Sequence, residues 1–175
     1  MEIEYESLRH EVLNRQDARN NLLLTNFVFV GVLFAAALGF GSPGASGEVE
    51  GYRPLLLLVV PIISGLFGSL TVTHDYSIKF IGRYIENAIE YPLGYNGWQK
   101  FRAGNLKKGW RESRSLASFI AFLLPIVISS ALFFAGGKRP SVKTFSPMEY
   151  ILLISAITSV AIYVAQFCKL KNEFY

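Results

Sequence analysis

The sequence predicts an all-α integral membrane protein with four transmembrane helices, arranged as two hairpins joined by a cytoplasmic amphipathic and basic linker. Three observations carry that prediction. Charged residues make up only 17% of the 175, against about 25% in an ordinary soluble domain. Four windows hold nearly all of the deficit: 22–40, 54–73, 116–135 and 150–168 contain no Asp, Glu, Lys or Arg. Each has close to the roughly 20 apolar residues that cross about 30 Å of hydrocarbon. Between the two pairs lies 74–115, which holds 8 of the 17 Lys and Arg residues and both tryptophans.

Residues 1–21 predict a cytoplasmic helix running without a break into the first span. Leu8, Val12 and Leu13 form a narrow apolar edge, and Glu11 can pair with Arg15 at i, i+4. Glu2, Glu4 and Glu6 open the chain, and the apolar run from Leu22 is too long for a signal-peptide core, so the first helix is expected to be retained. The first span carries Gly31, Ala35 and Gly39 at four-residue spacing. In lipid, helices associate by close packing, and small residues let backbones approach. This stripe is therefore expected to be a packing face, within the chain or between copies. A Gly, Ser and Pro-rich turn over 41–51 returns the chain.

The second span, 54–73, holds Pro61 near its middle with Ser64 and Gly68 as further packing positions; proline there kinks a helix. Beyond His74 and Asp75, Ile78, Ile81, Ile85 and Ile89 recur at helical spacing with Lys79, Arg83, Glu86 and Glu90 off that line. The span is thus expected to continue as an amphipathic helix, ending near Tyr91-Pro92.

From Gly94 to Gly109, four glycines argue against one long helix. Trp98, Phe101 and Trp110 alternate there and just beyond with Lys100, Arg102, Lys107, Lys108, Arg111 and Arg114. Aromatic rings favour the headgroup level and basic side chains favour anionic lipid. These nine residues are therefore expected to contact the anionic inner leaflet as an interfacial segment. Nucleic acid uses the same chemistry, but the adjoining third span makes lipid the simpler partner. The third span, 116–135, shows Ala117 and Ala121 on a small-residue edge with Pro125 and Ser129. The fourth, 150–168, carries Ser155, Thr158 and Ser159.

Positive charges set the topology. With the N-terminus inside, Arg9, Arg15, Arg19, the eight of the linker, Lys169 and Lys171 place 13 of the 17 on the inner side. The positive-inside rule then puts both termini in the cytoplasm. Catalytic motifs are wanting: no phosphate loop, dinucleotide fingerprint or HExxH occurs. No cofactor and no metal site are expected. His74-Asp75 is the one His/Asp adjacency; it reads as an anchor of the helix end, and Cys168 as a buried small apolar residue.

Leu8-Arg9 with Arg15 and Arg19, and Ile78 to Glu90 followed by Gly97-Trp98, resemble a group of small uncharacterised bacterial membrane proteins over about the first 100 residues. The resemblance implies a bacterial inner-membrane location and no assigned activity. The leading expectation is a non-enzymatic, self-associating protein whose platform meets anionic lipids or a cytoplasmic protein partner; a membrane-acting effector is one compatible role. The alternatives are a channel or small transporter lined by Ser64, Ser69, Ser129, Ser130, Ser155, Thr158 and Ser159 in an oligomer, and an interface enzyme acting on lipid through His74 and Asp75. Spans without ionisable groups weigh against ion-coupled transport.

Overall fold

The computed structural model describes residues 2–38, 53–92, 108–135 and 146–174. Every element among them is helical: α1 (Glu2–Ala37), α2 (Arg53–Tyr84), a π-helical segment (Ile85–Glu90), α3 (Lys108–Ala135) and α4 (Pro147–Phe174). All four α-helices contain stretches long and apolar enough to cross a membrane.

The helices are taller than a bilayer. At 1.5 Å per residue, the 36 residues of α1 run about 54 Å, some 20–25 Å more than the hydrocarbon requires. The excess lies at the end bearing Glu4, where α1, α2 and α4 continue together as a stalk. Tyr84 Oη donates to Glu4 Oε1 at 3.1 Å, and Arg83 Nη2 donates to the Glu173 carbonyl at 2.8 Å. Within the stalk the isoleucine line of α2 turns inward: Ile85 and Ile89 are buried, as are Val12 and Leu170. Leu13, the other half of the expected apolar edge, faces outward. The anticipated Glu11–Arg15 pair forms at 2.6 Å on an exposed surface, where such pairs add little stability.

The helical continuation of α2 ends where expected, at Tyr91-Pro92, but as a π-helix: the Tyr91 N–H bonds the Glu86 carbonyl, five residues back, at 2.9 Å. This wider turn carries Ile85 and Ile89 to the same buried side.

α2 is the hub. Half of its most apolar stretch is buried, against 11–22% for the other three helices. It packs on α1, α3 and α4, whereas the described backbones of α3 and α4 stand apart. Those two helices meet through rings instead: Phe119 stacks on Phe167 with centroids 4.4 Å apart and on Tyr163 at 5.5 Å. Phe122 meets Tyr163 edge-on, and Val72 and Leu170 complete the core cluster. The second hairpin of the chain is thus held by α2 more than by itself.

Two helix starts differ from expectation. α3 begins at Lys108, so the last two turns of the anticipated interfacial segment belong to a helix continuous with the third span. Gly109 is tolerated because first-turn amides have no intrahelical acceptor to lose. α4 begins three residues early behind a capping box: Ser146 Oγ accepts from the Glu149 N–H at 3.3 Å, and Glu149 Oε2 accepts from the Ser146 N–H at 2.6 Å. Pro147 occupies the first helical position, where its missing N–H costs nothing.

Candidate functional site: a polar seam along the central helix

The helix pairs have defined registers. Arg19 meets Asp75 and Phe29 stacks near Phe67, so α1 and α2 are antiparallel. Gly68 lies under Tyr163 and Arg83 reaches Glu173, so α2 and α4 are parallel.

On α1 the buried residues Val12, Arg19 and Asn26 recur at intervals of seven. Seven residues advance nearly two full turns, so these positions share one face. On α2 the buried residues Leu57, Ser64 and Thr71 follow the same period, and Ile85, opening the π-helical segment, lies two periods farther on. The seam of α2 is apolar at its ends and polar in the middle, and that of α1 runs from apolar Val12 to polar Arg19 and Asn26.

The strongest interaction of the seam is an ion pair. Arg19 Nη1 donates to Asp75 Oδ1 at 2.9 Å, with only 10% and 18% of the two side chains exposed. Arg19 Nη2 also reaches Asn20 Oδ1 at 3.2 Å. Asp75 lies within α2, not at the helix end expected for it, and ties that helix to a second one through Arg19. Farther in, Asn26 and Ser64 are fully buried. Neither the Asn26 amide nor Ser64 Oγ has a hydrogen-bond partner among the described residues, and the same holds for Arg19 Nε, His74 Nδ1 and Gln166 Oε1. Thr71 Oγ1 is satisfied by its own helix, donating to the Phe67 carbonyl at 2.9 Å.

The expected packing residues separate into two groups. Ser64 is fully buried and Gly68 is buried against α4. A Cβ on Gly68 would lie 2.8 Å from the Tyr163 ring, and one on Gly65 would lie 3.0 Å from the Ser159 backbone. Glycine at both positions is what lets α4 approach. By contrast, Gly31 is exposed with nothing within 4 Å of a Cβ built there. Ala117 is exposed as well, while Ala35 and Ala121 are half-buried. Gly39 lies outside the described residues, as do Trp98, Lys100, Phe101, Arg102 and Lys107. Lys108, Trp110, Arg111 and Arg114 lie on the first two turns of α3.

Among the hydroxyls expected to line a pore in an oligomer, Ser64, Ser129 and Ser159 are buried. Ser129 Oγ donates to the Ile126 carbonyl at 3.0 Å. Ser159 Oγ lies 2.9 Å from the Ala156 carbonyl and 3.2 Å from that of Pro61. Thr158 faces outward. Elsewhere on the inner-end surface, His10 Nδ1 accepts from Asn14 at 3.1 Å, and Arg83 reaches Glu173. Cys168 is exposed, contrary to expectation. Helical phase explains it, since Ala156, Ser159, Tyr163 and Leu170 set the buried face of α4 and position 168 falls across from them.

Sequence reading overlooked Asn26 as a polar residue inside a span and counted Arg19 only as a charge. Their seven-residue spacing from Val12 was the available signal. Comparison of the chain with protein-family models, curated proteins and solved structures finds no match.

Proposed function

We propose that the chain is a non-enzymatic integral membrane protein of the bacterial inner membrane, with both termini cytoplasmic, that acts as a self-associated assembly. The observation that carries this reading is the open surface at Gly31. Hydrocarbon is as apolar as leucine, so exposed Leu24, Val28 and Val32 are at home in lipid and give no reason to associate. An exposed glycine beside half-buried Ala35 is different: it offers backbone approach that none of the described helices of the same chain takes up. The inner-side excess of basic residues supports the orientation. The basic residues from Lys100 to Arg114 then lie at the anionic leaflet, where lipid headgroups or an acidic cytoplasmic partner would meet them.

Native mass spectrometry of the full chain in mild detergent tests the reading. An oligomer that falls to monomer in the Gly31→Leu variant is expected. A wild-type chain that is monomeric throughout, with neither bound lipid nor protein, would overturn it.

A further inference from the structure

The central helix carries a second apolar line, turned away from the buried one. Leu66, Leu70, Thr73, Phe80 and Tyr84 are all exposed, Phe80 by 61%. With half-buried Ser77 they recur at alternating steps of four and three residues, the spacing of a helix–helix seam. Leu66 and Thr73 each follow a buried residue, Ser64 and Thr71, by two positions, about 200° around the helix. The line therefore stands opposite the face that α2 turns to the rest of the chain, and no described helix covers it.

Lipid accounts for only part of it. Leu66 and Leu70 lie within the span, but Phe80 and Tyr84 lie about 8 and 14 Å beyond Asp75 at the helical rise, in the stalk. The polar atoms of the line are already satisfied. Thr73 Oγ1 donates to the Ser69 carbonyl at 3.0 Å, Ser77 Oγ to the Thr73 carbonyl at 3.0 Å, and Tyr84 Oη to Glu4 Oε1. What remains open is apolar surface that runs unbroken from the hydrocarbon into water. An occupant matching its whole length must itself cross that boundary as a straight helix, and α2 of a second copy does so.

Charge favours the same occupant. Copies sharing one orientation in a membrane are related by an axis along its normal, so a two-fold contact sets each residue against itself at equal depth. Any charge on the contact line then meets a like charge. The α2 line holds no charge from Leu66 to Tyr84, although Lys79 and Arg83 lie on the same turns of helix. The outward surface of α1 in the stalk bears Glu6 and Asp17, and that of α4 bears Lys169 and Lys171. Of the three stalk helices, only α2 can face its own copy without repulsion.

We propose that this line is a second contact between copies, α2 against α2 across a two-fold axis. The inference rests on the reading of self-association and extends it. Gly31 follows buried Asn26 by five positions, about 140° around α1, so its face also turns away from α2. A chain with two such contacts on different sides joins pairs made at Gly31 into a row. The α2 contact acts between chains already paired at Gly31 and confined to one bilayer, where their effective concentration is high. In detergent it does not hold chains that lack the Gly31 contact.

Cysteine scanning of the full chain in native membranes, with Cys168 replaced by serine, tests this by helical phase. Under oxidation, Phe80→Cys and Tyr84→Cys are each expected to yield severalfold more disulfide-linked dimer than Ile78→Cys and Lys79→Cys, whose parent side chains are half-buried off the line. Equal yields at all four positions overturn the proposal, since random collision has no phase. So does the absence of dimer at both Phe80→Cys and Tyr84→Cys while their thiols react with a water-soluble reagent, the result expected if a soluble partner or nothing covers the line. If Gly31→Cys still gives dimer under that oxidation, the α2 contact alone fails. If none of the three does, the proposed assembly fails with it.

Discussion

Residues of one chemical type do different jobs here according to the helix face they occupy. Gly68 and Gly31 show it best. Gly68→Ala forces a methyl against a Tyr163 ring that is itself 2% exposed. Overpacking of that kind costs about 1–3 kcal/mol, readable as a lower unfolding temperature in detergent. Gly31→Ala meets no neighbour and is expected to leave the unfolding temperature of the monomer unchanged or slightly raised. For the ion pair, Arg19→Ala leaves Asp75 without its partner in a mostly buried place, a loss on the order of 3 kcal/mol. A double-mutant cycle with Asp75→Ala should recover most of it, because the second substitution removes the orphaned charge. Additive losses would show that the pair contributes nothing as a pair. The partners of these residues were not legible in the sequence. Asp75 has His74 beside it in the chain, and only the antiparallel register of α1 and α2 brings Arg19 there across 56 positions.

At the scale of elements, the line Ile78, Ile81, Ile85 and Ile89 pointed to a helical continuation of the second span, and its last two members lie in the stalk core. Ile85→Asp is therefore expected to open the stalk while leaving the spans helical. Limited proteolysis reads this as faster cleavage between 2 and 18, and unchanged cleavage there would contradict the packing. α3 starts at Lys108, at the edge of the glycine-bearing stretch 94–109, and a helix start tolerates a glycine better than its interior would. The Ser146–Glu149 box was readable as a cap four residues ahead of the fourth apolar window. It passes unnoticed when span length is judged from hydropathy alone. The central role of α2 could not be read at all. The second and third helices are equally apolar in their best windows, and hub status depends on which faces carry small residues that admit neighbours.

At the scale of the whole molecule, the four windows and the charge bias were legible because lipid imposes them on every spanning helix. Assembly was not, since a stripe of small residues serves equally within a chain and between chains. The structure divides the stripes: Gly65 and Gly68 are occupied by α4, and Gly31 is unoccupied. Charge reversal at Lys107 and Lys108 in the full chain should reduce the anionic lipid retained through native mass spectrometry, relative to neutral lipid, by weakening a surface attraction of about 1 kcal/mol per charge. Retention unaffected by reversal would remove lipid from the proposed partners of the platform. The central claim, association through the Gly31 face, is tested most directly by oxidative crosslinking in native membranes. The single exposed cysteine, Cys168, is first replaced by serine, and Gly31→Cys is compared with Val30→Cys, whose parent side chain is buried at 6% exposure. The account predicts a disulfide-linked dimer from the Gly31→Cys chain and none from Val30→Cys. A Gly31→Cys chain that stays monomeric under oxidation, while remaining reactive to a thiol reagent, would contradict it.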